Sequence, residues 1–249
     1  MKFHQTIEHY FKNASTTHLN RPRPQAPFVT IAREEGAGGH SLAEALVARF
    51  SKERDALFSG WQIFDKNLCE RVAKDPELHV SLEALLDEEF HTGLDDFLRT
   101  VVASLSPQIK IDHHMFRTVR SICAVGKAIV IGRAAALLAR DLPLGVHVRL
   151  VSARKARIER VRRETGLGEA AAAKLLDQKD AGRARVVETH FNKDVADPLL
   201  YDCVWNADTV TYEGMADSLV ALIHRRADRA ARVAAVTAGR SGERGPNAP

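Results

Sequence analysis

The sequence FVTIAREEGAGGHS, residues 28–41, places a short β-prone run directly before a glycine-rich loop. Ser41 follows the loop and forms, with Glu44, the Ser-x-x-Glu pattern that caps helix starts. Apolar residues then recur at helical spacing: Leu42, Ala45, Leu46 and Phe50. This stretch therefore predicts a strand, a tight loop and a helix in that order.

The glycines of the loop suggest an anion site. Gly36, Gly38 and Gly39 permit a tight turn and let backbone N–H groups converge on an anion at the helix start, and phosphate is the natural occupant. The full phosphate-loop signature is G-x-x-x-x-G-K-[ST]. In this chain Glu34 stands at the first glycine and His40 at the lysine. The pattern alone thus leaves two interpretations open, a nucleotide cradle or a glycine-rich turn that only joins strand to helix.

Short strands and helix-like segments alternate along the rest of the chain. After the first strand, further strands are predicted at 62–64, 128–131, 146–151 and about 203–206. Helices are predicted at 66–74, 81–89, 93–105, 111–125, 152–163, 168–190 and 213–232. Such alternation favours an α/β fold with a mostly parallel sheet.

Composition narrows the class of protein. Of 249 residues, 45% are apolar and 27% charged, a balance typical of a soluble globular protein that can bury a core. The longest apolar stretch, about 128–139, is interrupted by Arg133, and residues 1–10 lack the apolar core of a secretory signal. A cytoplasmic protein without a membrane span is therefore expected. Three widely spaced cysteines suggest neither a disulfide framework nor a thiolate metal cage.

The two ends of the chain look different from its centre. Residues 1–27 end in RPRPQAP, whose prolines interrupt regular pairing, so we predict an N-terminal arm followed by one domain over 28–233. Residues 234–249 have little to bury and several helix breakers, which predicts a disordered tail. The formal net charge of +4 is carried entirely by residues 225–249, and the balanced remainder argues against nucleic-acid binding.

Residues 29–39 resemble the opening of the cytidylate kinase-like family of P-loop proteins. Further blocks resemble motifs of this family in the same order: Phe64-Asp65-Lys66, 129–133, 146–163, Asp180-x-x-Arg183-Ala184 and Tyr201-Asp202 with Asn206. The resemblance covers about residues 28–226. It implies a three-layer nucleoside monophosphate kinase-like fold with a mostly parallel five-stranded sheet flanked by helices. It also implies a helical acceptor-binding insertion at about 66–125 and a mobile lid at about 152–190.

The resemblance implies ATP-dependent phosphoryl transfer to a nucleoside monophosphate of the CMP or dCMP kind, with ATP and Mg²⁺ as the small molecules required. Such a transfer develops negative charge on the γ-phosphoryl oxygens, so the protein must align two substrates and neutralise that charge. Arginine suits this task because its planar guanidinium binds phosphate bidentately. The expected catalytic residues are Arg133, Arg157, Arg160 and Arg183. Arg157 and Arg160 lie three apart on one helix face, so they could jointly approach the ATP phosphates as a lid closes.

Binding roles follow from the same resemblance. The loop is expected to hold ATP through Gly36, Ala37, Gly38, Gly39, His40 and Ser41. Ser41 is also the candidate Mg²⁺ ligand, because its hydroxyl occupies the phosphate-loop position that binds the ion. Arg133 is expected at the acceptor phosphate, and Asp180 with Arg183 at the acceptor's base or phosphate. Asp65 is expected to contact the acceptor or to organise the loop.

Each of these assignments has a simpler structural alternative. Arg133 can form a salt bridge at a helix start, and Arg157 with Arg160 can lie on the solvated face of an amphipathic helix. Asp180 and Arg183 stand one helical turn apart, which an ordinary intrahelical ion pair also explains. The sequence leaves these alternatives open.

Two departures from the family pattern leave a second function open. His40 replaces the lysine that follows the transferred charge in phosphate-loop enzymes, and Ala134 stands where cytidylate kinases tend to carry an aspartate that reads the acceptor. The alternative is a nucleotide-binding regulatory module of the same fold that transfers little or no phosphate. A role with RNA depends only on the basic residues of 225–244 and is the least favoured. The expected partners are small-molecule nucleotides, without a membrane, and the sequence does not indicate the number of subunits.

Overall fold

The five strands in the described part of the chain form one parallel sheet. The structure, a computed structural model, describes residues 26–86 and 109–242 together with Ile7, Tyr10 and Phe11. The sheet contains β1 (Phe28–Arg33), β2 (Gln62–Phe64), β3 (Ala128–Ile131), β4 (Gly145–Val151) and β5 (Cys203–Asn206). Its order is β2-β3-β1-β4-β5, and every neighbouring pair is parallel. The predicted strands and the predicted α/β fold class are confirmed.

Helices connect the strands and cover both faces of the sheet. Those described are α1 (Gly39–Phe50), α2 (Lys66–Lys74), α3 (Pro76–Glu83), α4 (Ile109–Val125), α5 (Ala135–Leu138), α6 (Arg154–Thr165), α7 (Glu169–Phe191) and α8 (Tyr212–Gly242). Asp65 caps α2 and Asp75 caps α3, each accepting a hydrogen bond from a backbone N–H of the first turn. The helix predicted at 81–89 therefore begins earlier, because Asp75 and Pro76 form a strong start signal. It ends at Glu83, so the prediction of helix is wrong for 84–86, and 87–89 lie outside the described residues.

Two apolar cores lie on opposite faces of the sheet, because side chains alternate between faces along each strand. Phe28 and Val130 point into the core formed with α2 and α4. Val29 and Ile31 point into the core formed with α1 and α8, which also contains Met215. The result is the three-layer arrangement that the resemblance implied.

The predicted N-terminal arm contributes to the first of these cores. Ile7, Tyr10 and Phe11 are at most 5% exposed. The Tyr10 hydroxyl donates a hydrogen bond to the Gly126 carbonyl at 2.6 Å, and its ring meets the ring of Phe64 edge-on. The predicted arm therefore packs into the core of the domain at these three positions, which the sequence analysis did not anticipate. Ile7, Tyr10 and Phe11 share the i, i+3, i+4 spacing of a buried helical stripe, which the prolines farther along obscured.

The C-terminal helix is longer than predicted. Helix α8 continues to Gly242, whereas the sequence analysis ended it at 232 and made 234–249 a disordered tail. The prediction of disorder is wrong for 234–242, because the alanines and arginines of this segment are strong helix formers. The predicted helix at 93–105 and residues 243–249 lie outside the described residues. Each helix in the described part of the chain is too short or too polar to cross a membrane.

A candidate active site at the carboxyl end of the sheet

A cavity of about 620 Å³ opens at the carboxyl ends of β1 and β3. The loop after β1 forms one wall and residues 132–137 after β3 form another. The first half of α4 and the face of α7 around 178–187 close the remaining sides. Open α/β sheets bind their ligands at this edge, outside the carboxyl ends of the strands. The cavity is therefore the candidate active site.

The loop keeps its shape because two glycines adopt conformations that other residues resist. Gly36 has φ 75° and Gly38 has φ 85°. A Cβ atom on Gly38 would lie 1.8 Å from the hydroxyl oxygen of Tyr212, the first residue of α8. The same hydroxyl donates a hydrogen bond to the Ala37 carbonyl at 3.4 Å. Ala37 is fully buried and does not line the cavity, so its predicted contact with ATP can involve only the backbone.

The start of α1 offers backbone donors to the cavity. No side chain caps this helix, and its first return bond runs from the Leu42 N–H to the Gly38 carbonyl at 3.0 Å. Within the described residues, nothing accepts a hydrogen bond from the amides of Gly38, Gly39, His40 or Ser41. Uncapped amides at the positive end of a helix dipole favour an anionic ligand. The loop thus has the geometry that the nucleotide-cradle interpretation requires.

Ser41 has the chemistry of a magnesium ligand beside a bound phosphate. Its side chain is exposed on the cavity wall, and its hydroxyl has no hydrogen-bond partner among the described residues. In the same part of the chain, no group of three or more His, Cys, Asp or Glu side chains could hold a metal ion. Mg²⁺ commonly takes few protein ligands and completes its shell with phosphate oxygens and water. A single hydroxyl next to an anion site fits that preference.

His40 and Asp65 contact each other at the rim of the cavity. The Nε2 atom of His40 lies 3.7 Å from Asp65 Oδ2, and the His40 side chain is 62% exposed. Asp65 also accepts the Leu68 N–H at 2.8 Å as the cap of α2. This geometry matches the organising role considered for Asp65. Its predicted contact with the acceptor stays a prediction, since Asp65 does not line the cavity.

Arg157 of α6 binds the loop and Ser152, the residue that follows β4, instead of facing the cavity. Its Nε donates to the Ser152 carbonyl at 3.0 Å and lies 3.4 Å from the Glu34 carboxylate. Its Nη1 donates to Asp180 at 2.5 Å and to the Glu35 carbonyl at 3.3 Å. The side chain is only 10% exposed. The solvated-face alternative is therefore wrong for Arg157, and its approach to ATP as a lid closes stays a prediction.

Arg160 also holds the loop. Its Nη1 donates to the Gly36 carbonyl at 2.8 Å and its Nη2 to Asp208 at 2.5 Å. Asp208 additionally accepts the Ala153 N–H at 2.6 Å and the Ser152 hydroxyl at 2.7 Å. The Ala153 hydrogen bond, with those from Ser152 and Arg160, lowers the pKa of Asp208. Arg160 does not line the cavity, so its predicted contact with ATP is not seen in this conformation.

Asp180 joins the loop to α7. It accepts the Glu35 N–H at 2.8 Å, and it binds Arg157 as well as Arg183, whose Nη1 lies at 2.9 Å. Arg183 donates its second nitrogen to the Glu35 carboxylate. The intrahelical ion pair is thus present, but it forms part of a larger network. Arg183 lines the cavity and Asp180 does not, so a contact of Asp180 with the acceptor stays a prediction.

Arg133 stands on the cavity wall formed by the residues that follow β3. It follows Gly132 at the end of β3 and has φ 57°. Its Nη2 donates to Glu70 of α2 at 2.7 Å, while Lys66 lies 3.8 Å from the same carboxylate. The salt bridge considered as an alternative exists, but with α2, and Arg133 still lines the cavity. Arg133 is therefore placed where an acceptor phosphate could share it.

Sequence reasoning missed Arg33, the last residue of β1. Its side chain lines the cavity. Burial lowers the pKa of Arg33 to about 10, and the nearby charges of Arg183 and Arg133 add to the effect while Glu35 opposes it. Arg33 nevertheless remains a cation at neutral pH. The sequence could have identified Arg33, because an arginine at the end of a strand lies at the same edge of the sheet as Arg133.

Part of the remaining lining is apolar, next to polar residues that include Lys66, Glu164, Gln178 and Lys179. The apolar part consists of Met115, Phe116, Leu137, Val186, Val187, Val195 and the ring of Tyr201. Ligand sites commonly combine such a surface with a few polar groups that fix orientation. This cavity can hold a ligand that has an anionic end and a flat apolar body.

Comparison with known proteins adds the family. A model of the cytidylate kinase-like family matches residues 28–209, which include the loop, Arg133 and Arg183. The chain belongs to the cytidylate kinase-like family. Membership in this family supports a kinase-like activity on nucleotides and confirms the resemblance seen in the sequence.

The individual proteins that match this chain are only distantly similar to it in sequence. An uncharacterized protein from Eubacterium ventriosum matches with a TM-score of 0.58 and 20% identity, over 81% of this chain and 99% of that one, which shows the fold alone. A shikimate kinase from Bacteroides thetaiotaomicron matches with a TM-score of 0.41 and 13% identity, over 80% and 98%. A uronate isomerase from Corynebacterium glutamicum is 30% identical over 98 residues. That match covers 39% of this chain, and the chain spans about a fifth of the isomerase.

Proposed function

We propose that this protein transfers the γ-phosphoryl group of ATP to a nucleoside monophosphate, with CMP and dCMP as the first acceptors to test. The observation that carries the proposal is the arrangement of the cavity. Uncapped amides at residues 38–41 form one wall, while Arg133 and Arg183 stand on other walls of the same space. A cavity with separate sites for two phosphates suits transfer between two nucleotides.

ATP takes the loop side in this proposal. The amides of Gly38 to Ser41 bind its phosphates, and Ser41 contributes its hydroxyl to Mg²⁺. The ion, when bound, neutralises part of the phosphate charge. His40 lies close enough to this site to contact ATP at its exposed rim.

The monophosphate takes the opposite side. Arg133 binds its phosphate in exchange for part of the salt bridge to Glu70, and the apolar lining receives the base. Arg183 also lines the cavity, and we expect it to bind the transferred group. Ala134 provides no side-chain donor or acceptor for the base, so we expect a weaker preference among pyrimidine acceptors than an aspartate there would impose.

Arg157, Arg160 and Asp180 act as positioning residues. Arg157 donates to the Glu35 carbonyl, Arg160 donates to the Gly36 carbonyl, and Asp180 accepts the Glu35 N–H, so together they fix the backbone of the loop. A loop held in place before ATP arrives loses less entropy on binding. The regulatory-module alternative uses the same loop, so only a measurement of transfer separates the two functions.

The test is a coupled assay of ADP formation with Mg-ATP and a panel of CMP, dCMP, UMP, AMP and GMP. We expect acceptor-dependent ADP formation and a loss of about 100-fold in kcat/KM for Arg183→Ala, because one charged donor to the transferred group is removed. Arg154→Ala is the matched control, since Arg154 pairs with Asp177 at the exposed surface. ATP binding by calorimetry without transfer to any acceptor would favour the regulatory module instead.

A further inference from the structure

We infer that Arg33 is the cation that binds the transferred phosphoryl group, in the role that phosphate-loop enzymes give to the lysine of the loop. This inference rests on the proposed function and names a residue within the same cavity. It starts from the replacement of that lysine by His40, which leaves the loop itself without a permanent charge facing the phosphates.

The path of the Arg33 side chain links the two walls of the cavity. Its stem passes Gly39 at the start of α1, where an added Cβ would lie 3.2 Å from both Cγ and Cδ. Its guanidinium reaches Gly132 at the end of β3, where an added Cβ would lie 2.0 Å from Nη1. The missing side chains of these two glycines leave the space that the arginine occupies. Arg33 therefore extends from the ATP side of the cavity to the residue that precedes Arg133.

The guanidinium of Arg33 is not committed to a protein partner. Across residues 26–86 and 109–242, no carboxylate or carbonyl forms a hydrogen bond or ion pair with it. Four other arginines around the cavity each bind a carboxylate: Arg133, Arg157, Arg160 and Arg183. A half-buried guanidinium with its donors unused is costly unless a ligand satisfies them. The described structure thus leaves Arg33 available to an anion.

The charges around Arg33 also favour a multiply charged anion. Arg183 and Arg133 both act on Arg33 strongly enough to lower its pKa, in addition to the effect of burial. Repulsion among three guanidinium groups is relieved when a phosphoryl group binds between them. Glu35 offsets part of this repulsion, but its carboxylate is bound to Arg183.

His40 is less suited to the same role. Its side chain is 62% exposed and its ring nitrogen lies beside Asp65, at the rim of the cavity. An exposed imidazole next to a carboxylate is screened by water and by its partner. Arg33 is more buried and lies between the two substrate sites, so its charge acts more strongly on the transferred group.

Phosphoryl transfer does not require a proton from Arg33. The bond between the γ-phosphorus and the bridging oxygen of ATP breaks and its electron pair leaves on ADP. A bond forms between that phosphorus and a phosphate oxygen of the acceptor, which reacts as its dianion. Arg33 donates hydrogen bonds to the γ-phosphoryl oxygens while this occurs, and it stays protonated throughout.

The test compares Arg33→Met, Arg33→Lys and His40→Ala with Arg154→Met, an exposed arginine outside the cavity that controls for the loss of one charge. Methionine keeps an unbranched stem beside Gly39 and removes the guanidinium. We expect Arg33→Met to lower kcat about 100-fold, with Arg33→Lys intermediate because it keeps charge but not the planar fork. His40→Ala should lower kcat less than Arg33→Met does, because the exposed imidazole lies at the rim of the cavity. Circular dichroism and thermal melting establish that each variant is folded.

The outcomes separate this inference from the proposed function. If the parent transfers phosphate and Arg33→Met keeps a kcat within about threefold, Arg33 does not bind the transferred group. If the parent transfers to no acceptor, the proposed function fails, and calorimetric titration with inorganic tripolyphosphate then tests Arg33 alone. In that case a loss of affinity of about tenfold for Arg33→Met relative to Arg154→Met supports the inference, and equal affinities refute it.

Discussion

Replacing Asp180 by alanine should destabilise the protein far more than replacing Asp177, which lies one turn earlier on the same helix. Asp180 accepts hydrogen bonds from the Glu35 N–H at 2.8 Å, from Arg157 at 2.5 Å and from Arg183 at 2.9 Å. Asp177 forms one ion pair, with Arg154, and both of those side chains are more than half exposed. The two substitutions remove the same carboxylate from the same helix, so they differ only in what the carboxylate binds.

The magnitude follows from the partners that remain. A hydrogen bond to a charged group contributes about 1.5–3 kcal/mol, and breaking a buried pair leaves an uncompensated charge. Arg157 keeps the Glu34 carboxylate and two backbone carbonyls, and Arg183 keeps Glu35. These remaining contacts place Asp180→Ala at about 2–3 kcal/mol of lost stability, well below the sum of its three bonds. The exposed pair of Asp177 contributes about 0–1 kcal/mol.

Urea unfolding followed by circular dichroism measures both values. A loss of 2–3 kcal/mol corresponds to a fall in Tm of about 4–12 °C for a protein of this size. Hydrogen exchange adds a local readout, because the Glu35 amide should lose protection in Asp180→Ala and keep it in Asp177→Ala. If the two variants unfold at the same urea concentration and the Glu35 amide exchanges alike in both, Asp180 does not hold the loop, and the reasoning on the network is refuted.

Two further predictions concern the backbone of the loop and the buried histidine of β4. Gly38→Ala should lower the free energy of unfolding by about 1–3 kcal/mol, because alanine resists φ 85° and its Cβ meets the Tyr212 hydroxyl. Gly182→Ala, in open space inside α7, should leave stability unchanged or raise it. Similar unfolding midpoints for the two variants would contradict this. Burial lowers the pKa of His147 to about 4. As the pH falls, the imidazole therefore binds its proton in the unfolded chain before it does so in the folded protein. The free energy of unfolding should fall by up to about 3 kcal/mol between about pH 6.5 and pH 4. His147→Asn, which offers an acceptor to the Thr30 hydroxyl, should lose less stability over that range, and an unchanged dependence on pH would refute the assignment.

Local patterns in the sequence were sufficient to predict the sheet and the loop. Both patterns are local in the sequence: a β-prone run stands before Gly36, and apolar residues recur at helical spacing after Ser41. The same holds for α2, whose start at Asp65 depends on a cap to Leu68. Family motifs then supplied the order of the elements.

The roles of the arginines could not be predicted in the same way. Arg157 and Arg160 were expected at ATP, but their partners include Asp208 and the carbonyls of Glu35 and Gly36, which the fold brings from distant parts of the chain. Spacing along a helix indicates which residues share a face but not what that face meets. The position of Arg33 at the end of β1 could be read from the sequence, but only the folded arrangement shows that it has no partner among the described residues.

The most direct test of the central claim follows the γ-phosphoryl group itself. The parent protein is incubated with Mg²⁺, ATP labelled at the γ-phosphate and each monophosphate in turn, and the labelled products are separated. We predict label in the nucleoside diphosphate formed from the acceptor, in an amount that depends on the acceptor and is lost in Arg33→Met and Arg183→Ala. Label that stays in ATP with every acceptor, or that is released only as inorganic phosphate, would contradict the claim that this cavity joins two nucleotides for transfer.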